Sequence, residues 1–525
     1  MESGNRQNST RRKQRAWCLA VLFCLFILGE GCTAVDGNRE AAVDPTAPVT
    51  LTIGYPHQTG QTTLHGAQQA ARLLSFEGLT YLARDGRPQP KLAESWEESP
   101  DGLTWTVHLR KSAYFHDGSP ADAGSVKQSL DRSRTGADRD RSPGLSDILE
   151  IEAQPPNTVL IHLRNRSRFL LDDLTVAIVK PLADGSVVGT GPFVTDSTSE
   201  NQLVMRALPN YYRGKPTIDR IVWTSYPAVR TAWAAMMRGE IDFLYEVPPE
   251  AVEFIESESS INVFSFLRNY AYLVIFNSRR KPFDDGRVRR ALNYAIRRDT
   301  LIERALSNRG QVVSGPVWPL HWAFDPTVAN YSYDPARATA LLDAAKIAPF
   351  ERTLKPMAPG RIHFTCLVPA NFALWERMAL NVQRDLAQIS VDMQIESIPF
   401  ESFNERIGSG NFDAVIMELI VGNTASRPFT FWSSKSTQNA WGYQNKALEE
   451  ALDDLRRAPD DAQYRDAFRR VQTHSLEDPP AIFLALGQIT RAVSNRFQVV
   501  APPNTDILPS IPDWRLANTT PRVSN

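Results

Sequence analysis

The stretch YFHDGSP, Tyr114–Pro120, places His116 beside Asp117 and Gly118, residue types that together can build a small proton-transfer or metal site. The same types also build a tight turn, with Asp122 placed to cap a helix that follows. Chemistry would need partners, and the chain offers few. His108 and His162 stand in two strand-like segments that both read His-Leu-Arg, but no third ligand is spaced to complete a metal site. Cys366 is the one cysteine outside the N-terminal region, and the alternation of HFTCLV makes it a buried strand thiol rather than a nucleophile. No HExxH zinc helix, GxSxG nucleophile elbow or P-loop occurs. GTGPF, Gly189–Phe193, has Val194 where a nucleotide fingerprint would place its third glycine, and reads as a tight turn leading out of a domain. No catalytic residue, metal or cofactor is expected from these residues.

The elements that must position any site are plentiful. At 525 residues the chain exceeds what one hydrophobic core sustains, so two or three domains are expected. Lys and Arg total 58 against 59 Asp and Glu, which leaves no basic field to attract nucleic acid. Near the N-terminus RRKQR, Arg11–Arg15, precedes the apolar run Ala16–Leu28, which has the length of a signal-peptide core and is short of the ~20 residues that span a bilayer. LGEGC, Leu28–Cys32, resembles a lipoprotein box, which makes Cys32 the lipidation site and residues 1–32 the signal peptide; simple cleavage near Ala34 and an uncleaved anchor stay open. Residues 33–48 are polar, without apolar periodicity, and read as a flexible tether.

Beyond Val49 the pattern is that of a folded body. VTLTIGY has the composition of an opening strand; TWTVHLR and TVLIHLR alternate, with Trp105, Val107, Leu109 and Val159, Ile161, Leu163 on their core faces. In DDGRVRRALNYAIRRDTLIERAL, Asp284 or Asp285 starts a helix whose apolar face carries Val288, Ala291, Leu292, Ala295 and Ile296, and whose arginines read as a solvated surface. Asp334 and Pro335 start another helix. A helix carrying Leu374, Met378, Val382, Leu386 and Ile389 runs into a strand with Val391, Met393 and Ile395, and FDAVIMELI, Phe412–Ile420, is a strand buried on both faces. This alternation predicts an α/β lobe with a largely parallel sheet.

LAESW, SPDGLTWTVHLRKSAYFHDGSPADAGSVKQSL, GTGPF, NYYRGKPTIDRIVW, MMRGEIDF and FNSRRKPFDDGRVRRALNYAIRRDTL follow one another in the order seen in the solute-binding proteins of ABC transporters. The chain resembles their large oligopeptide, dipeptide and nickel-binding branch, from Val49 to near Leu455 and more weakly through DPPAIFLAL. The resemblance implies a two-lobed type II periplasmic-binding-protein fold with an extra inserted N-terminal domain. Lobe I is then expected over 49–81, 201–285 and 485–520, the insert over 82–200, and lobe II over 286–484. FHDGSP becomes a turn, with His116 structural.

The implied function is capture of a peptide or peptide-like small solute in the interlobe cleft by hinge closure, outside the cytoplasm, and its delivery to ABC permease subunits. A monomer, held to the membrane by the Cys32 lipid, fits this reading. In peptide-binding members of the family an aspartate in the loop after the strand similar to FDAVIMELI pairs with the peptide amine; here that loop, Val421–Trp432, holds no acid and carries Arg427. This argues against ordinary free-amino peptides and leaves N-blocked peptides, anionic solutes or glycosides open. Expected cleft residues are Tyr270, Tyr272 and Asn277 at the lobe crossing, Trp318 and Trp322, and Glu418, Asn423, Arg427 and Trp432 around the loop. A lipoprotein sensor using the same closure, and an exported hydrolase, are the alternatives.

Overall fold

A computed structural model of the chain describes residues 47–56, 64–136, 141–347 and 360–517. Arg11–Arg15, the apolar run, Cys32 and nearly all of the tether lie outside the described residues.

One large sheet forms the spine of the protein. Its order runs from Phe193–Thr198 through Gln202–Ala207, Arg220–Tyr226, Thr50–Pro56 and Phe243–Leu244 to two long strands, then to Ala414–Ile420, Ile362–Pro369 and Val391–Ile398. The two long strands, a first crossing strand Ile261–Phe276 and a second, Ala481–Ser494, pair with each other antiparallel. Each belongs at one end to lobe I and at the other to lobe II. The pairing runs from Ile261–Ser494 to Leu267–Gln488, lapses over 268–270, and resumes at Ala271–Leu486. Across that lapse Asn269 turns its carbonyl to the amides of Val421 and Gly422 of lobe II. The chain therefore changes lobe at 268–270 rather than after residue 285, and on the second strand near Gly487.

Lobe II is the α/β unit that the periodicity predicts. Ile362–Pro369 lies parallel to Val391–Ile398 and to Ala414–Ile420, with helix Ala373–Ala387 as the crossover. Met378, Val382 and Leu386 face the sheet, and Cys366 is buried with its thiol pKa pushed up to about 12 by desolvation. Asp334 caps Pro335–Ala344 by accepting from the Arg337 amide at 2.8 Å.

The arginine-rich segment departs from expectation. Asp285 caps a helix Gly286–Tyr294, the helix stops, and a second runs Arg298–Leu306. Two of the arginines read as solvated are buried. Arg289 donates to the Pro479 and Phe283 carbonyls and pairs with Asp478; Arg298 donates to the Phe483 and Asn293 carbonyls and to the Asn293 side chain. Desolvation lowers the Arg298 pKa to about 10. These guanidiniums tie the two helices to carbonyls of neighbouring segments, a role that helical periodicity does not reveal.

The insert has its own sheet, Ala93–Glu98, Thr104–Leu109, Thr158–Leu163 and Ile148–Gln154, and its own apolar core, including Trp105, Phe115, Val126, Leu130 and Ile161. Helix Ala123–Thr135 packs on it, capped by Asp122. Phe193–Thr198 pairs with Gln202–Ala207 in the large sheet, so the insert ends before Phe193 and not at residue 200. Both of its ends emerge from lobe I. There Glu77, buried, accepts hydrogen bonds from Tyr211, Tyr212 and Thr190 and pairs with Lys91 at 3.2 Å. The turn Gly189–Phe193 lies against the helix His65–Ser75: a Cβ on Gly189 or Gly191 would fall 2.3–2.4 Å from the Ser75 or Leu74 carbonyl oxygen. His116 closes the same joint, its Nε2 lying 3.0 Å from the Gly191 carbonyl. YFHDGSP is a turn: Asp117 accepts from the Ser119 amide and hydroxyl and pairs with Lys180. The five apolar clusters of the described residues all fall within Pro48–Asn525, one compact unit.

Candidate functional site

Three charges at the lobe crossing, Arg268, Glu418 and Arg491, stand out because each interrupts an apolar strand. Arg268 sits where the first crossing strand leaves its partner, and its Nη1 donates to Glu418 Oε2 at 2.8 Å. Glu418 lies in Ala414–Ile420, in register with Tyr272. The Arg268 guanidinium also lies 4.3 Å over the Tyr270 ring. Desolvation pulls the Arg268 pKa down, but Glu418, Tyr272, Tyr270 and Glu246 outweigh it and raise the pKa. Burial first, and then the Glu418 charge, hold the Tyr272 hydroxyl protonated.

The lobe I side of the crossing carries Arg491, on the second crossing strand. It is buried, grips Asp506 through two hydrogen bonds of 2.6 and 2.7 Å, donates to the Tyr245 carbonyl, and lies 4.0 Å over the Tyr245 ring. Tyr55 packs on Tyr245 with ring centroids 4.7 Å apart. Glu246, next in the chain, is open to solvent, yet protein surrounds it closely enough that desolvation raises its pKa. That combination marks a side chain on a concave wall. Arg268 and Arg491 pull the Glu246 pKa down and Glu418 pushes it up, so all four charges share one space.

Of the nine expected cleft residues, the fold brings Tyr270, Tyr272 and Glu418 together here. Asn277, at the far end of the same strand, gives its amide to the Gly410 and Phe412 carbonyls and accepts from the Arg279 amide. It staples a turn and is itself buried. Trp432 is buried among Trp441, Tyr443 and Phe483 in the core of lobe II. It is a core residue because the segment 421–432, read as a loop, ends in a helix, Ser426–Trp432, that packs inward.

The other four, Trp318, Trp322, Asn423 and Arg427, lie on a joint between lobe II and the insert. Trp318 Nε1 donates to the Arg84 carbonyl at 3.0 Å, the Trp322 amide to that of Asp85, and Asn423 to that of Ala83 at 2.7 Å. Trp322 is stacked on Tyr464 and lies beneath Arg87. Arg427 donates to the Arg141 carbonyl. At the centre of the joint two adjacent buried carboxyls of the insert meet two hydroxyls of lobe II: Thr424 donates to Asp172 at 2.5 Å and Ser426 to Asp173 at 3.1 Å. Burial raises Asp172 to about 8 and Asp173 to about 6; hydrogen bonds and the charges of Arg168, Arg427 and Arg456 oppose this without cancelling it. Arg456 reaches back to Asp147 at 2.8 Å. The insert hangs from lobe I at both ends, so every one of these bonds spans from the lobe I side to lobe II and must break if the lobes part.

His108 and His162 each face a threonine across the insert's sheet, and among the described residues no group of three or more His, Cys, Asp or Glu could hold a metal ion. A polar hollow of about 480 Å³, lined by Arg279, Ser434, Thr437 and Gln444 among others, belongs to lobe II alone and lies away from the crossing. Among the described residues no helix is long and apolar enough to cross a membrane.

Sequence reasoning passed over Glu246, Arg268 and Arg491. The signal for the two arginines was present: FSFLRNYAYLVIF and FLALGQITRAVS each carry a single charge inside an apolar strand. A lone charge there must find a partner or a ligand.

Two lobes, two crossing strands and a charged, aromatic wall where they cross define a solute-binding protein. The chain belongs to the bacterial extracellular solute-binding proteins, family 5, whose family model (its middle region) matches residues 87–441. Its role is to bind solute outside the cytoplasm. The glutathione-binding protein GsiB of Escherichia coli K12 is 26% identical over 452 residues, covering 81% of this chain and 86% of its own. Two solved structures share the fold. The oligopeptide-binding protein AppA of Bacillus subtilis, in complex with a nonapeptide, is 21% identical with a TM-score of 0.74, covering 90% of this chain and 100% of its own. NikA of Brucella suis, in complex with Fe(III)-EDTA, is 21% identical with a TM-score of 0.76, covering 89% and 100%.

Proposed function

We propose that this protein captures a peptide or peptide-like small solute in the crevice where its lobes cross, closes over it, and hands it to the membrane subunits of an ABC importer. The observation that carries this reading is the lapse in pairing at 268–270. Two strands pass between the lobes there, and the lapse leaves them free of each other's hydrogen bonds where bending would occur. The polar and aromatic groups at that place belong to both lobes, so a solute touching them is held best when the lobes are together. The glutathione-binding relative and the peptide complex of the similar fold support a solute of this size and chemistry. Export by the N-terminal segment, lipid on Cys32 and a monomeric state complete the reading: a tethered receptor stays within reach of its transporter.

Native mass spectrometry tests it. The unit Pro48–Asn525, purified without denaturation, is expected to carry a discrete extra mass that a denatured and refolded sample lacks. Turnover of an ester or peptide substrate by the purified protein would contradict it.

A further inference from the structure

Among the five charges Glu246, Arg268, Glu418, Arg491 and Asp506, Glu246 alone lacks a counterpart. Arg268 is paired with Glu418, and Arg491 with Asp506. Among the described residues no hydrogen bond or ion pair reaches the Glu246 carboxylate. Its backbone is nonetheless firmly placed. The Tyr245 amide donates to Gly54, the Tyr245 carbonyl accepts from Arg491, and the Val247 amide donates to Thr490. Val247 points into the apolar core, and Glu246 opens to the crevice.

Charge counting gives this placement its meaning. Three carboxylates, Glu246, Glu418 and Asp506, face two guanidiniums, Arg268 and Arg491, so this set of five carries one surplus negative charge. Closure around an anionic solute would add a second to a space already short of water, which is costly. A cationic group removes the surplus. Tyr55, packed on Tyr245, lies close enough for the Glu246 charge to act on its hydroxyl. The crevice thus obtains from lobe I the acid that the segment 421–432 lacks.

We propose that Glu246 anchors a primary ammonium or guanidinium group of the captured solute and so selects cationic over N-blocked or anionic solutes. This rests on the solute-capture reading above. It reverses the expectation drawn from the missing loop acid.

The test uses the Pro48–Asn525 unit and three probe sets. These are a pool of free-amino tripeptides lacking Lys, Arg and His, the same pool N-acetylated, and the small cations agmatine and putrescine. Binding is read by native mass spectrometry, and Kd by calorimetry on the bound members. Wild type is expected to retain free-amino peptides or small cations and not the acetylated pool. Glu246→Gln is expected to weaken the bound probe at least about tenfold with its melting temperature unchanged, and Glu246→Asp to recover part of the affinity. Acetylated probes bound as well as free ones, an unchanged Kd in Glu246→Gln, no cationic probe bound, or a copurified solute without a cationic group would each overturn the anchor. The absence of every solute, copurified or added, would overturn solute capture as well.

Discussion

Arg268 reaches from the first crossing strand to the Glu418 carboxylate at 2.8 Å, joining the place where the chain changes lobe to the central strand of lobe II. Glu418 is mostly buried, whereas Arg268 is partly open, its side chain 38% exposed. The pair is thus a half-wet clamp, worth about 1 kcal/mol and not the several that full burial implies.

Removing only the arginine strands the carboxylate. Arg268→Ala is expected to destabilise the protein by roughly 1–2 kcal/mol and to weaken solute binding. The double variant Arg268→Ala, Glu418→Gln is expected to recover part of the stability, because no buried charge is then left alone. Urea denaturation of the single and double variants checks this. A double variant less stable than either single one would contradict it.

The joint between insert and lobe II should respond to pH. Asp172 and Asp173 have raised pKa values with the joint formed, about 8 and about 6, and would return toward the ordinary value of 3.8 if opening of the joint hydrates them. An acid whose pKa is raised by closure takes up protons on closing. Closure is therefore favoured as pH falls from about 8 toward 4, and penalised above 8, where both carboxyls are ionised in either state. Arg168, Arg427, Arg456 and Tyr464 face the same carboxyls. The closed fraction of the solute-free protein is expected to rise on acidification from pH 8 to pH 5, and Asp172→Asn with Asp173→Asn to flatten the response. Solute-free samples keep the titration of Glu246 against a ligand out of the measurement.

His116 should matter for stability and not for binding. It is half-buried, desolvation lowers its pKa, and its ring meets the Gly191 carbonyl. His116→Ala is expected to cost about 1–2 kcal/mol and to leave solute affinity unchanged. A depressed histidine pKa stabilises the fold above the unfolded value near 6.5 and loses that contribution as pH falls below it. Wild type should accordingly lose stability from pH 7 to pH 5 by more than His116→Gln does, as denaturation at the two pH values would show.

Local signals carried much of the fold. Asp122 and Asp334 cap helices where their spacing places them, and the alternation of Trp105, Val107 and Leu109 marks a strand face that is indeed buried. What the sequence hides is pairing between distant segments. Nothing in FLRNYAYL says that pairing with residues more than two hundred positions away lapses at Arg268, and that lapse fixes the lobe boundary. The aromatic residues divide for a related reason. Tyr270 and Trp432 look alike in a composition, and only the tertiary fold leaves one half-buried at the lobe crossing and sends the other to the core. Glu246 gave no local signal, because its isolation is a property of where Arg268, Arg491, Glu418 and Asp506 come to rest.

Fluorescence energy transfer across the insert joint reads the movement of the two lobes directly. Asn165→Cys and Arg457→Cys place labels on either side, beside the contact of Arg168 with Arg456, while buried Cys366 stays unlabelled. On the refolded, solute-free unit, adding the copurified solute is expected to raise transfer, with a midpoint equal to its binding constant. Saturating solute with no change in transfer would contradict capture by hinge closure.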